Sequence, residues 1–145
     1  MIYNVFDQSP EDELLPLCQE RGVGVIVWGP FDEGALTGNV TPETTFNEGD
    51  FRNEYFKGDR KQEVQERVRA IVSELGIPEE KLPEIALRYI LSHPAVSTII
   101  SGMRFRLQRR TQHGGRGWRG PTRGPSSEAQ SHRWTRNFYP DPSEA

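Results

Sequence analysis

The sequence predicts an α/β fold built on a parallel sheet, and three observations carry that prediction. Val23 to Val27, with only Gly24 interrupting, is an apolar run continuous enough for a buried strand. A short apolar piece, MIYNVF, and a helical segment precede it, so the order is strand–helix–strand. A second β-rich run, Val96 to Ile100, follows two amphipathic helices and closes, like the first, in a small-residue turn. At 145 residues the chain has the size of one ordinary domain. A complete (β/α)8 barrel needs about 250 residues and does not fit in it.

Each element has a local reason. MIYNVF ends in Asp7-Gln8-Ser9-Pro10, a cluster of turn formers. The helix from about Glu13 to Arg21 places Leu14, Leu15 and Cys18 on one side, with Gly22 as its stop. Pro16 is tolerated in the first turn, where its missing N–H would have no helical partner. After the strand come Trp28-Gly29-Pro30 and a loop with Gly34 and Gly38. Residues 39–58 form a long acidic connection carrying Phe46, Phe51, Tyr55 and Phe56. A connection of that length reads as a functional flap, and its aromatics predict that it packs on something.

Residues 60–75 then set Val64, Val68, Ile71, Val72 and Leu75 on one helical stripe. Asp59 and Gln62 stand in capping-box positions, and Gly76 and Pro78 end the helix. A further helix begins near Pro83, with Leu82, Ile85, Ala86, Tyr89 and Ile90 at i, i+3, i+4, i+7 and i+8. Ser92-His93-Pro94 stops it.

The net charge of −3 hides an asymmetry. Residues 1–103 hold 9 Lys/Arg and 18 Asp/Glu, whereas residues 104–145 hold 9 Arg, no Lys and 3 acids. From Phe105 to Gln130 no helical or strand period survives, and Gly, Pro, Arg and Ser dominate. This stretch is expected to be irregular or disordered. The single cysteine, Cys18, excludes an internal disulfide and suits a reducing compartment. No apolar stretch approaches the roughly 20 residues that span a bilayer. The first residues lack the basic-then-apolar pattern of a signal peptide. A soluble cytoplasmic protein with no membrane contact is the expectation.

Little in the chain supports nucleophilic or metal chemistry. The histidines are His93, before a proline at a helix end where it suits the dipole, and His113 and His132 in the tail. No Cys/His cluster has metal-ligand spacing. Two features point instead to anion binding. Gly34 to Gly38, after Trp28, is a loop whose backbone N–H groups can approach a phosphate. Ser101-Gly102 with Arg104 follows the second strand in the matching position. An aromatic ring at a strand end before such a loop suits a flat ligand ring above a phosphate. The same spacing also fits a core strand with an ordinary turn.

YNVFDQSP, LLPLCQERGVGVIVWGPFDEGALTG, Gly49-Asp50-Phe51-Arg52 with Tyr55-Phe56, LPEIALRYILSHPAVSTIISGMR and HRWTRNFY follow one another in order. This succession resembles the middle-to-late part of an aldo-keto reductase, over residues 1–104 and about 132–140. The resemblance implies a partial (β/α)8 TIM barrel, from the end of strand 6 (Tyr3) through strand 7 (Val23–Val27) and strand 8 (Val96–Ile100). It also implies an NAD(P)H-dependent oxidoreductase, with NADP as the expected cofactor and a small-molecule carbonyl compound as substrate. The domain division expected is 1–104, an Arg/Gly/Pro-rich segment at 105–131, and a family-like tail at 132–145.

By resemblance Trp28 stacks on the nicotinamide ring. Gly29, Pro30, Phe31, Gly34 and Leu36 form the loop along the pyrophosphate, and Gly102 and Arg104 form the turn at the adenosine end. Family members often have serine where this chain has Gly29 and lysine where it has Asn39. Arg52, from the flap, is the candidate substitute for that lysine. The family's catalytic Asp, Tyr, Lys and His precede the sixth strand, so no residue here matches them and the chain alone is expected to be inactive.

The family's Glu-Asn pair at the adenine falls where this chain has Thr111-Gln112. Regrouping CAG-AGG-AGA-ACN, one coding of Gln108–Thr111, yields Glu-Glu-Asn, so a shifted reading frame over residues 105–130 is expected. The alternative reading is a nucleic-acid-binding protein acting through HGGRGWRG and its neighbours. The acidity of residues 1–103 argues against it. A subunit completing another chain's barrel is a third reading.

Overall fold

The structure, a computed structural model, describes residues 1–102 and 131–134. Six regular elements follow one another: α1 (Leu14–Glu20), β1 (Val25–Trp28), α2 (Arg52–Tyr55), α3 (Arg60–Leu75), α4 (Leu82–Leu91) and β2 (Val96–Ile100). Short 3-10 turns lie at Ser9–Glu11, Asp32–Thr37 and Glu79–Lys81. β1 and β2 pair in parallel, and Ile2 makes a parallel bridge to Trp28 on the other side of β1. The expected parallel sheet is therefore present, but the first piece of the expected strand–helix–strand order, MIYNVF, forms only the single bridge at Ile2. Residues 103–130, with the Arg/Gly-rich stretch and its expected frame change, lie outside the described residues, as do residues 135–145.

The first strand begins later than the apolar run implies. Val23 N–H donates to the Cys18 carbonyl at 2.8 Å, so Val23 belongs to the exit of α1, and Gly22 (φ 65°) makes that turn. At the other end Trp28 joins the strand, its N–H donating to the Met1 carbonyl at 2.8 Å. The expectation of a run buried on both faces also fails. Val25 and Val27 are buried, whereas Ile26 and Trp28 are about half exposed, at 53% and 52%. The helices cover one face of the sheet, so every second side chain of β1 remains on the open face.

The core lies on the covered face. Tyr3, Phe6, Leu15, Val27, Leu36, Phe56, Val64, Ile71, Leu82 and Ile90 are almost fully buried. α4 packs on β2, and α3 and α4 both touch the 3-10 turn after β1. Residues 39–58 pack as their aromatics predict: Phe46 stacks on Phe56 at 5.6 Å between ring centroids, and Tyr55 and Phe56 are buried. Phe51 stays half exposed. α3 ends at Gly76 in the left-handed conformation (φ 58°), the geometry expected of a glycine stop. The capping box at its start is not formed, because Gln62 Nε2 bonds to Glu66 Oε1, one turn onward.

Candidate functional site

The parallel elements end side by side. Ile2 bridges to Trp28 and Trp28 is paired with Ile100, so three turns leave the sheet at one end. In α/β folds that end is where ligands bind. Trp28 closes β1 with its indole on the open face, available for stacking.

Gly29 (φ 66°) turns the chain out of β1, and Asn4 fastens it there. Asn4 is fully buried; its Nδ2 donates to the Gly29 carbonyl at 2.9 Å. Its Oδ1 accepts from Phe6 N–H at 3.0 Å and Asp7 N–H at 2.9 Å. One amide thus ties the turn after Tyr3 to the turn after Trp28. Beyond it, Asp32 (φ 47°), Glu33 (φ 57°) and Gly34 (φ 107°) take positive φ in succession. Glycine adopts this freely, whereas the left-handed region costs an L-residue about 1–2 kcal/mol. Neighbouring contacts hold Asp32 and Glu33 in it. Gly34 N–H and Leu36 N–H both donate to the Phe31 carbonyl at 3.0 Å, so these two amides are engaged inside the loop. The side chains of Pro30, Phe31 and Leu36 are buried.

Arg52 is also engaged. Its Nε donates to Asp50 Oδ1 at 3.0 Å, its Nη2 donates to Asp50 Oδ2 at 2.6 Å, and its guanidinium lies 4.5 Å from the Phe46 ring centroid. The bonds from Arg52 hold the Asp50 carboxyl down at a pKa of about 2. Asp50 in turn raises the Arg52 pKa, with a smaller contribution from Glu33. Asn39, in the position where the family often has lysine, bonds through Nδ2 to Thr37 Oγ1 at 3.1 Å. Gly102 lies exposed just past β2. Arg104 lies outside the described residues.

The sequence model of the aldo/keto reductase family matches residues 1–111. The chain belongs to the aldo/keto reductase family. The NADH-specific methylglyoxal reductase of Escherichia coli (strain K12) is 28% identical over 100 residues, covering 69% of this chain and 31% of that enzyme. The pyridoxal 4-dehydrogenase of Microbacterium luteolum is 32% identical over 102 residues, covering 70% of this chain and 27% of that one. Among solved structures, the glycerol dehydrogenase AKR11B4 from Gluconobacter oxydans superposes with a TM-score of 0.66 at 20% identity, over 90% of this chain and 38% of its own. The chain thus spans about a third of the length of the relatives it matches. In fold terms, this aldo-keto reductase chain is a partial α/β unit related to a (β/α)8 barrel.

Other polar groups serve the frame. Tyr3 and Tyr89 both donate to Glu11 Oε1, at 2.6 and 2.5 Å. Burial, with those bonds, pushes the Tyr3 phenol pKa far up, and burial does the same at Tyr89. His93 sits past the end of α4, beyond Ser92. Burial lowers its pKa, and its Nδ1 accepts from Ala95 N–H at 3.2 Å. No group of three His, Cys, Asp or Glu among the described residues could hold a metal ion. No helix among them is long and apolar enough to cross a membrane.

Proposed function

We propose that this chain forms the cofactor-side part of an NAD(P)H-dependent aldo-keto reductase that reduces aldehydes or ketones to alcohols. The observation that carries the reading is the exposed Trp28 at the end of β1, level with Ile100 and flanked by the turn at Gly29. Trp28 stacks on the nicotinamide ring, which supplies the hydride when the cofactor is bound. The backbone of Gly29, Pro30, Phe31, Gly34 and Leu36 runs along the pyrophosphate, and Gly102 with Arg104 receives the adenosine end.

The nicotinamide side fits this role better than the phosphate side. Arg52 is already bonded to Asp50 and lies in the field of Glu33, and Arg60 is buried and bonded to Tyr55. NADP, which the resemblance implies, competes with NAD here, since one relative is named NADH-specific. The chain on its own does not reduce a carbonyl, because no residue in it matches the family's general acid. Reduction needs such an acid placed on the carbonyl oxygen.

Titrating the 145-residue chain with NADPH and with NADH, while following tryptophan fluorescence, tests the pocket. Quenching that is lost in Trp28→Leu is expected. Unchanged fluorescence with both cofactors refutes the assignment, and robust aldehyde turnover by the chain alone refutes the predicted inactivity.

A further inference from the structure

The flap, α3 and the C-terminal segment meet beneath the loop after β1. Tyr55 donates its phenolic hydrogen to Asp32 Oδ1 at 2.6 Å, and Arg60 Nη2 donates to the Tyr55 oxygen at 3.2 Å. Asp32, Tyr55 and Arg60 are all at most 5% exposed. A buried carboxylate and guanidinium are costly unless paired, and here one phenol joins them in a chain of charge-assisted bonds. Asp32 is also the first of the three residues with positive φ, so the bond falls at the entry to the left-handed stretch.

The outer end of this chain is capped from far away in sequence. The Arg60 guanidinium lies 4.8 Å from the Tyr55 ring centroid and 4.1 Å from that of Trp134, and Arg67 lies 4.3 Å from Trp134. Trp134 N–H donates to the Phe6 carbonyl at 2.7 Å, and the indole meets Phe6 edge-on. His132 contacts Glu74 at 2.8 Å, and Arg133 pairs with Asp12. Residues 131–134 therefore seat an indole over the arginine that ends the buried chain of bonds.

We propose that Asp32, Tyr55 and Arg60 are positioning residues that hold residues 29–38 in their left-handed course, and that Trp134, by covering Arg60, sets how firmly that loop is held. The assignment rests on the proposed cofactor role of the loop, but its direct readout does not need cofactor. Restraint of the loop means that the phosphate side of the site is shaped before a ligand arrives, which lowers the ordering cost of binding. The C-terminal segment becomes part of the cofactor site through Trp134 without touching it.

Amide hydrogen exchange in the full chain decides the matter, read at Gly34 and Leu36 in the loop and at Ala86 and Ile90 in α4. In Tyr55→Phe and Asp32→Ala the loop amides exchange about tenfold faster, the scale of one lost charge-assisted bond, while the α4 amides keep their wild-type rates. Asp32→Asn, which keeps the acceptor, recovers most of the protection. Trp134→Ala, at a less buried position, accelerates the same loop amides to a smaller degree. NADPH affinity falls in the same order.

Unchanged loop exchange in Tyr55→Phe and Trp134→Ala overturns the proposal. Equal acceleration in loop and α4 also overturns it, since that marks a general stability role. Should Tyr55→Phe fail to fold, Trp134→Ala decides by the same two readings. A wild-type chain that binds neither cofactor refutes the proposed function alone, because the exchange rates still report on the positioning.

Discussion

The two faces of the small sheet are built from the same few strand residues and meet opposite fates. On one face Val25 and Val27 are buried within the continuous core. On the other, Ile26, Trp28 and Ile100 are apolar and yet 53%, 52% and 63% exposed. The covered face therefore holds the fold together. The open face contributes little to stability in this chain, and it is the face the proposed cofactor role of Trp28 requires. On that proposal, stability and function are separated by a single alternation of side chains along β1.

Substitutions break this comparison if it is wrong. The largest effect is expected on the covered side: Ile90→Ala, at a fully buried position, costs about 3 kcal/mol in urea unfolding. Asn4→Ala leaves the buried Phe6 N–H, the partly buried Asp7 N–H and the Gly29 carbonyl without their amide partner and costs about 2 kcal/mol. A smaller effect is expected from pH at His93, whose folded pKa lies below its unfolded value near 6.5. The unfolded chain then binds the proton more readily, so stability is full above pH 6.5 and declines as pH falls from there through the folded pKa. Thermal melts at pH 7.5 and pH 5 should diverge less in His93→Gln than in the wild type.

Glu33→Gly relieves a positive φ and should raise stability by up to about 1 kcal/mol, less its lost attraction to Arg52. Smallest of all, Ile26→Thr and Trp28→Leu on the open face should change stability by at most about 0.5 kcal/mol. Trp28→Leu should nonetheless abolish the fluorescence response to cofactor. A large loss of stability in either variant would show that something covers this face in solution.

Legibility in the sequence followed the range of the forces involved. α3 and β2 lie where periodicity and composition place them, because a long amphipathic stripe and a β-branched run each carry their own signal. β1 was offset, since Val23 is claimed by a bond back to Cys18 and Trp28 by one from Met1, and neither follows from the run itself. The exposed end of β1 at Trp28 is legible from the end of the apolar run, whereas its proposed stacking role comes from the family resemblance. Asn4 is not legible: in sequence it is a turn-forming asparagine, and its importance comes from Gly29, across the fold. Asp32 and Tyr55 escaped for the same reason, being 23 residues apart and both unremarkable alone. The pairing of Arg52, the candidate substitute for the family's lysine, with Asp50 carries no signal in the sequence, where Asp50 is one acid among many in an acidic connection.

Gly24 and Ser97 have a consequence of phase. The pairing runs from Val25 opposite Val96 to Ile26 opposite Thr98, so Ser97 is the extra residue of a bulge. Its Oγ lies 2.3 Å from where a Cβ on residue 24 would be, and glycine leaves that space to it. Without the extra residue, Trp28 would stand opposite Ile99 instead of Ile100, and β2 would be out of step by one residue, about 3.3 Å. The side chain level with the indole would then come from the opposite face of the sheet. A serine at the far end of the strands thus acts as a spacer, bringing the turn at Ser101 level with the turn at Gly29 without touching either.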